Sequence, residues 1–193
     1  LSVPETWYVS EVGAISVTGT YIDNLITEWT IIKDDGGSEP YSNFATGELN
    51  KQGGNLTFPS KGQYKLILTM ADTSGRSYVN SGRFTVYPIP SMSTSLTPIS
   101  YSGDAITATA LGSELDGMDI EWLISVDGGE EKPYAQCVTG SLGKNGGSFT
   151  VTTDKTISIK LVAEATDANG RKFIFTSNTA TVKPVASFSF SAP

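Results

Sequence analysis

Glu28-Trp29-Thr30-Ile31 returns at an offset of 93 residues as Glu121-Trp122-Leu123-Ile124. The same offset lays Pro40-Tyr41 on Pro133-Tyr134, Thr46-Gly47 on Thr139-Gly140, Leu49 on Leu142, Lys51 on Lys144 and Gly53-Gly54 on Gly146-Gly147. After a slip of two residues, Asp72-Thr73-Ser74-Gly75-Arg76 meets Asp167-Ala168-Asn169-Gly170-Arg171. One further slip sets Val86-Tyr87-Pro88 on Val182-Lys183-Pro184. Trp, Gly and Pro kept in order over so long a stretch mark a duplication, and the chain reads as two copies of one unit. The boundary falls at Pro88-Ile89-Pro90, because proline fixes φ and withholds a backbone donor from any continuing strand. The expected domains are 1–89 and 90–186, joined by a stiff linker. In the tail, 187–193, Ser187-Phe188-Ser189-Phe190-Ser191 alternates as Ser91-Met92-Ser93-Thr94-Ser95 does, and is expected to be the first strand of a third repeat.

Within each copy the hydrophobic period is two. Tyr64, Leu66, Leu68 and Met70 alternate with Lys65, Ile67 and Thr69, and Ile159, Leu161, Ala163 and Ala165 answer them with Lys160 on the outer face. Ile15-Ser16-Val17-Thr18 and Ile106-Thr107-Ala108-Thr109 alternate likewise. The turns at Asp72 and Asp167 put Gly75 and Gly170 where a hairpin calls for positive φ, and the strands that follow are expected over 77–86 and 172–182. About seven short strands per copy, with turns so spaced, predict an all-β fold of two tandem sandwiches.

Gly62-Gln63-Tyr64 followed by alternating aliphatics and an Asp72-x-x-Gly75 turn resembles the late-strand signature of PKD-type and related bacterial immunoglobulin-like repeats. Trp29 and Trp122 stand where the wider immunoglobulin-like class places its buried tryptophan. Two positions depart from the PKD pattern: Asp34-Asp35-Gly36 and Asp127-Gly128-Gly129 replace its Gly-Asp-Gly turn, and Ile159 replaces the tyrosine. The resemblance implies two immunoglobulin-like (PKD-like) β-sandwiches acting as non-catalytic structural or spacer modules of a bacterial cell-surface or secreted multidomain protein. The alternative it leaves is an adhesin or carbohydrate-binding module that uses the loops at a sandwich end. The partner would then be an unidentified protein or glycan, and the modules are expected to be monomeric within a longer chain.

Composition narrows the function classes. Thirteen Lys and Arg against twenty Asp and Glu leave a net charge of −7, which opposes long-range attraction to nucleic acid or anionic lipid. No apolar run approaches the roughly 18 residues of a membrane span, so no insertion of this stretch is expected. Leu1-Ser2-Val3-Pro4 has neither a basic nor an apolar leader region, and the chain is expected to be cut from something longer. There is no histidine and only one cysteine, Cys137, so the usual general base and the commonest transition-metal ligand are missing and no intrachain disulfide forms. No catalytic, cofactor or metal residues are expected, and an enzyme is the least favoured class.

Each candidate residue also has a structural explanation. Cys137 aligns with the apolar Phe44 and is expected to be a small buried hydrophobe. Glu130-Glu131 and Asp34-Asp35 lie in glycine-rich turns, where solvated carboxylates are the simpler account than a glycosidase pair. Asp127, Glu130, Glu131, Asp72 and Asp167 could offer oxygens to calcium, but without Asp-x-Asp-x-Asp-Gly spacing a turn role is preferred. Lys65 and Lys160, with Asn80 and Asn178 on the next strand, match the residue types of a self-generated Lys–Asn cross-link. Alternation places both lysines outward, in solvent. The candidate ligand-binding residues are Trp7, Tyr41 and Tyr134. Trp7, unmatched in the second copy, could with Tyr8 offer a stacking face, but a ring packed inward from an edge strand is preferred. The repeated tyrosines could be recognition residues, but loop anchors packed on the sandwich are preferred.

Overall fold

Period-two patterning becomes the inner faces of two sandwiches. The computed structural model describes residues 1–189, which divide into two compact units, Leu1–Ile89 and a second from Pro90 onward. The first unit is built from β1 (Thr6–Tyr8), β2 (Val12–Ser16), β3 (Ile26–Lys33), β4 (Glu39–Pro40), β5 (Thr46–Asn50), β6 (Gly53–Thr57), β7 (Gly62–Ala71) and β8 (Ser77–Tyr87). One sheet runs β1-β8-β7-β3-β4 and the other β2-β6-β5. The second unit comprises β9 (Ser91–Leu96), β10 (Ile99–Tyr101), β11 (Ala105–Ser113), β12 (Asp119–Val126), β13 (Lys132–Pro133), β14 (Thr139–Gly143), β15 (Gly146–Thr150), β16 (Ile157–Thr166), β17 (Lys172–Thr176) and β18 (Ala180–Lys183). Its sheets are β10-β18-β16-β12-β13, with β17 also on β16, and β14-β15-β11-β9. Each unit exceeds the seven strands expected of it, through two-residue strands after the tryptophan and, in the second copy, the additional β9 and a divided last strand.

In both units the first strand of the larger sheet lies parallel to the last: Trp7 pairs Val86 and Ser100 pairs Val182. The other ladders are antiparallel. The two tryptophans anchor identically. Trp29 is buried and donates its Nε1 hydrogen to the Asn50 carbonyl at 3.2 Å, and Trp122 donates to Gly143, the equivalent residue, at 3.1 Å. A buried indole thus packs its apolar ring and still satisfies its one donor.

The cores have diverged around that shared frame. The first is aromatic, with Trp7, Phe58, Tyr64 and Phe84 in contact at centroid separations of 4.7–5.7 Å. In the second, Ser100, Val151, Ile159 and Ala180 occupy those places by register. The lost volume is recovered partly from the facing sheet. Gly13, opposite Leu56 on β6, leaves room for the Trp7 ring, whereas Ile106, opposite Phe149 on β15, fills the same site over Ser100. A large-small pair in one copy is a small-large pair in the other, which is how close-packed interiors keep total volume.

Two expectations are corrected. Cys137 is exposed; it ends the short 3-10 turn Tyr134–Gln136, donating its backbone N–H to Tyr134. Phe44 packs its edge against Tyr64 (6.4 Å, 75°), and with Ile159 in place of that tyrosine no aromatic partner draws Cys137 inward. The strand expected over 172–182 is broken at Ser177-Asn178-Thr179. There Asn178 accepts from the Leu96 N–H at 2.7 Å and donates to the Leu96 carbonyl at 3.2 Å, tying the break to the end of β9. Of the tail 187–193, residues 187–189 are described and lie in no strand, while Phe190 and Ser191, on which the expected first strand of a third repeat also rests, lie outside the described residues.

The hairpin turns do what their glycines imply, with φ of 86° at Gly75 and 79° at Gly170. Asp72 accepts from Ser74 Oγ (2.6 Å) and from the backbone N–H groups of Arg76 and Ser74 (both 2.9 Å). Asp167 accepts likewise from the N–H groups of Asn169 and Arg171. The Ser74 hydroxyl first, then the Arg76 amide, hold the Asp72 carboxyl below its ordinary value of 3.8. A carboxylate whose folded value is depressed stabilises the turn above its unfolded value, and that help is lost as pH falls through the folded one. Hydrogen exchange followed below pH 4 should therefore show the amides of Ser74 and Arg76 losing protection before those of the β7 core. Asp72→Asn should remove that acid step; an unchanged step in the variant would refute the assignment.

Candidate functional site

At the end of the first sandwich farthest along β8 from Tyr87, the chain leaves β2 at Ser16 and crosses between the sheets over residues 17–25. It turns tightly there: the Leu25 N–H reaches the Ile22 carbonyl at 3.2 Å, and Tyr21 takes a positive φ of 61°. Left-handed backbone at a tyrosine is uncommon, and here it turns the ring out, 95% exposed. Behind the crossing lies an apolar groove of about 460 Å³. Its floor is Leu68 and Met70 of β7, one wall is Leu1, Val17, Ile22 and Leu25, and the other is Tyr78, Val79 and Asn80 of β8. The Arg76 guanidinium stands 5.6 Å from the Tyr78 ring centroid, fixing one rim. No carboxylate, amine, guanidinium or thiol lines the groove, so it can receive an apolar or aromatic group but holds no acid–base pair.

A second depression of about 500 Å³ lies on the outer face of the same unit, among Glu5, Asp34, Asp35, Lys65 and Arg83. Its charges are mixed and Asp34 is already engaged, accepting from the Gln63 N–H at 2.8 Å. Asp127 braces the second unit in the same way, accepting from the Ser158 N–H at 2.7 Å. These acids serve the turns. Among the described residues no three His, Cys, Asp or Glu side chains gather as metal ligands would. Asn178, one amide of the notional cross-link, has both amide atoms on the Leu96 backbone.

None of the three candidate ligand residues lines the apolar groove. Trp7 is 3% exposed, its Nε1 hydrogen goes to the Glu11 carbonyl at 3.0 Å, and its ring lies between Phe58 and Phe84. It presents no face for stacking, because the space that Gly13 leaves draws it inward. Tyr41 and Tyr134 are each the first residue of a 3-10 turn, half-buried against their own core. The Tyr134 hydroxyl accepts the Leu142 N–H at 3.1 Å. The exposed aromatics are instead Tyr21 and Tyr78. Their signal in the sequence is slight: Tyr21 falls on Glu114 at the repeat offset, so it breaks the duplication inside the connection between β2 and β3.

No family model matches the chain, and no curated protein is similar to it in sequence. Among solved structures it is similar to a marsupial T cell receptor, with a TM-score of 0.53 at 10% identity over 98% of this chain and 74% of that one. It is also similar to the insect immune protein hemolin, with a TM-score of 0.53 at 13% identity over 95% of this chain. The chain spans 46% of the hemolin structure's length. At such identities the likeness is one of fold: both units are immunoglobulin-like β-sandwiches. No helix among the described residues is long and apolar enough to cross a membrane.

Proposed function

We propose that the chain is a pair of non-catalytic structural modules, PKD-like, that space or tether other parts of a bacterial extracellular or cell-surface protein. The observation that carries this reading is the terminal pairing. In the first unit the entering strand lies parallel beside the leaving one, β1 on β8, and in the second β10, which follows the entering β9, lies parallel on β18, in ladders of three residue pairs each. Tension applied through the two ends of a unit slides these parallel strands past each other, in the second unit once β9 has parted from β11, so the bonds of the ladder bear the load together rather than opening in turn. The contacts that recur between the copies are likewise structural: the Trp29 and Trp122 anchors, the Asp34 and Asp127 braces and the Asp72 and Asp167 turns.

Pulling the whole chain by its ends should give two distinct force peaks, each releasing about 300 Å of contour, the extended length of a unit at roughly 3.3–3.6 Å per residue. Val9→Pro, which removes the N–H that donates to the Tyr87 carbonyl at 2.9 Å beside the β1–β8 ladder, should weaken one peak and spare the other. Extension without peaks would refute the mechanical role. A second reading, an adhesive module, is favoured by the exposed Tyr21 and Tyr78 at a sandwich end. It predicts a protein or glycan ligand whose binding Tyr21→Ala abolishes.

A further inference from the structure

We propose that the depression on the outer face of the first unit binds a carboxylated sugar residue of a glycan, a role separate from load bearing and from the groove at the sandwich end. The strand order β1-β8-β7-β3 sets its charged groups in a row. Glu5 precedes β1, Arg83 stands on β8, Lys65 on β7 and Asp35 in the turn after β3. Lys65 and Arg83 are directly opposite each other in the β7–β8 ladder, which brings β-carbons to about 4.5–5.5 Å, and like charges so placed destabilise a sheet. Among the described residues the side chains of Lys65, Arg83, Glu5 and Asp35 form no ion pair or hydrogen bond. No direct partner within the chain offsets the repulsion.

The second unit shows that the fold does not require this arrangement. Lys65 recurs as Lys160, but Arg83 falls on Thr179 and Glu5 on Pro98. Asp35 falls on Gly128, and both take a positive φ, 62° and 71°. Glycine adopts that backbone without steric cost, and aspartate does so less readily. The first unit thus keeps a paired cation and a carboxylate where each works against stability, as binding sites do.

The charges select the ligand. Two adjacent cationic donors, one a planar guanidinium, take a single carboxylate in charge-assisted bonds. The carboxylates of Glu5 and Asp35 on either side repel further negative charge and accept from hydroxyl groups, while Gln63 and Thr85 offer neutral polar contacts. A ligand with one anionic group ringed by hydroxyls meets both demands. A carboxylated sugar is such a ligand, and a phosphate-rich polymer is not. The volume of about 500 Å³ lies in the range of small-ligand sites. The aromatic rings that line it, Tyr64 and Phe84, are buried, so affinity comes from charge and hydrogen bonds and falls as salt rises.

Titrating the whole chain with trigalacturonate and, separately, with sialyllactose tests the site and distinguishes two sources of such a carboxylate. The backbone amide signals of Lys65 and Arg83 should shift with one or both probes in the millimolar range, and methyl esterification of the responding sugar should abolish the shift. Arg83→Gln and Lys65→Gln should each weaken binding about tenfold or more. Lys160→Gln, which changes the lone lysine of the second unit, should leave it intact. Both first-unit variants relieve a like-charge pair, so neither should lower the melting temperature, and lost binding is then not lost folding. A lowered melting temperature in either variant, no shift with either probe into the millimolar range, equal binding of the methyl ester, indifference to Arg83→Gln, or equally strong binding of inorganic polyphosphate would each overturn the proposal.

Discussion

Gly13→Ile is expected to unfold the first unit while leaving the second intact, and adding Trp7→Ser is expected to recover much of the loss. A β-carbon at Gly13 would sit 2.1 Å from Trp7 Cζ2, with two further ring atoms within 2.6 Å. The ring has nowhere to go, backed by Phe58 at 5.0 Å and Phe84 at 5.1 Å and tied through Nε1 to Glu11. Overpacking a core costs about 1–3 kcal/mol, and expelling the indole forfeits about 3–5 kcal/mol of burial. Either is a large share of the roughly 5–15 kcal/mol that holds a small domain. The double variant copies the arrangement of Ile106 over Ser100, so the pair should couple strongly rather than add. Hydrogen exchange resolved by segment would report each unit separately; a double variant no more protected than Gly13→Ile alone would show that the exchange of volumes has been misread.

Gly53→Ala and Gly146→Ala should each sever one sheet. Their φ angles are 107° and 90°. An added β-carbon would stand 2.0 Å from the Ile15 carbonyl oxygen in the first case and 2.1 Å from that of Ala108 in the second. Both obstacles are backbone of the neighbouring strand, in register at Ser16↔Gly53 and Thr109↔Gly146, so relief requires parting β2 from β6 or β11 from β15. To about 1–3 kcal/mol of backbone strain is added the loss of that pairing. Gly75→Ala is the control: its φ is 86° but open space surrounds it, so it should lower the first unit's melting temperature by far less. Equal effects at Gly53 and Gly75 would mean that strain alone, not the collision, governs the site.

The duplicated elements were legible because their causes are local. An alternating run, a glycine after an aspartate turn and a tryptophan among aliphatics each declare themselves within a few residues, and each recurs where the repeat places it. What escaped depends on partners distant in sequence. The inward packing of Trp7 was the preferred reading, but its cause lies in Gly13 and Phe84, and the exposure of Cys137 follows only from the replacement of Tyr64 by Ile159 on another strand. The break at Ser177 requires the Leu96 backbone 82 residues from Asn178. The groove is lined from β7, β8 and the connection over residues 17–25, and no residue in it carries a recognisable motif.

The divergence of the two cores bears on how such a chain survives its own synthesis. Adjacent copies of one fold risk exchanging strands as they emerge, since each offers its neighbour a homologous edge. A segment carrying Trp7 cannot seat where Ile106 already fills the space, and one carrying Ser100 would leave a void over Gly13. Each copy therefore rejects the other's first strand on volume alone, which turns drift between duplicates into a proofreading device against chimeric folding.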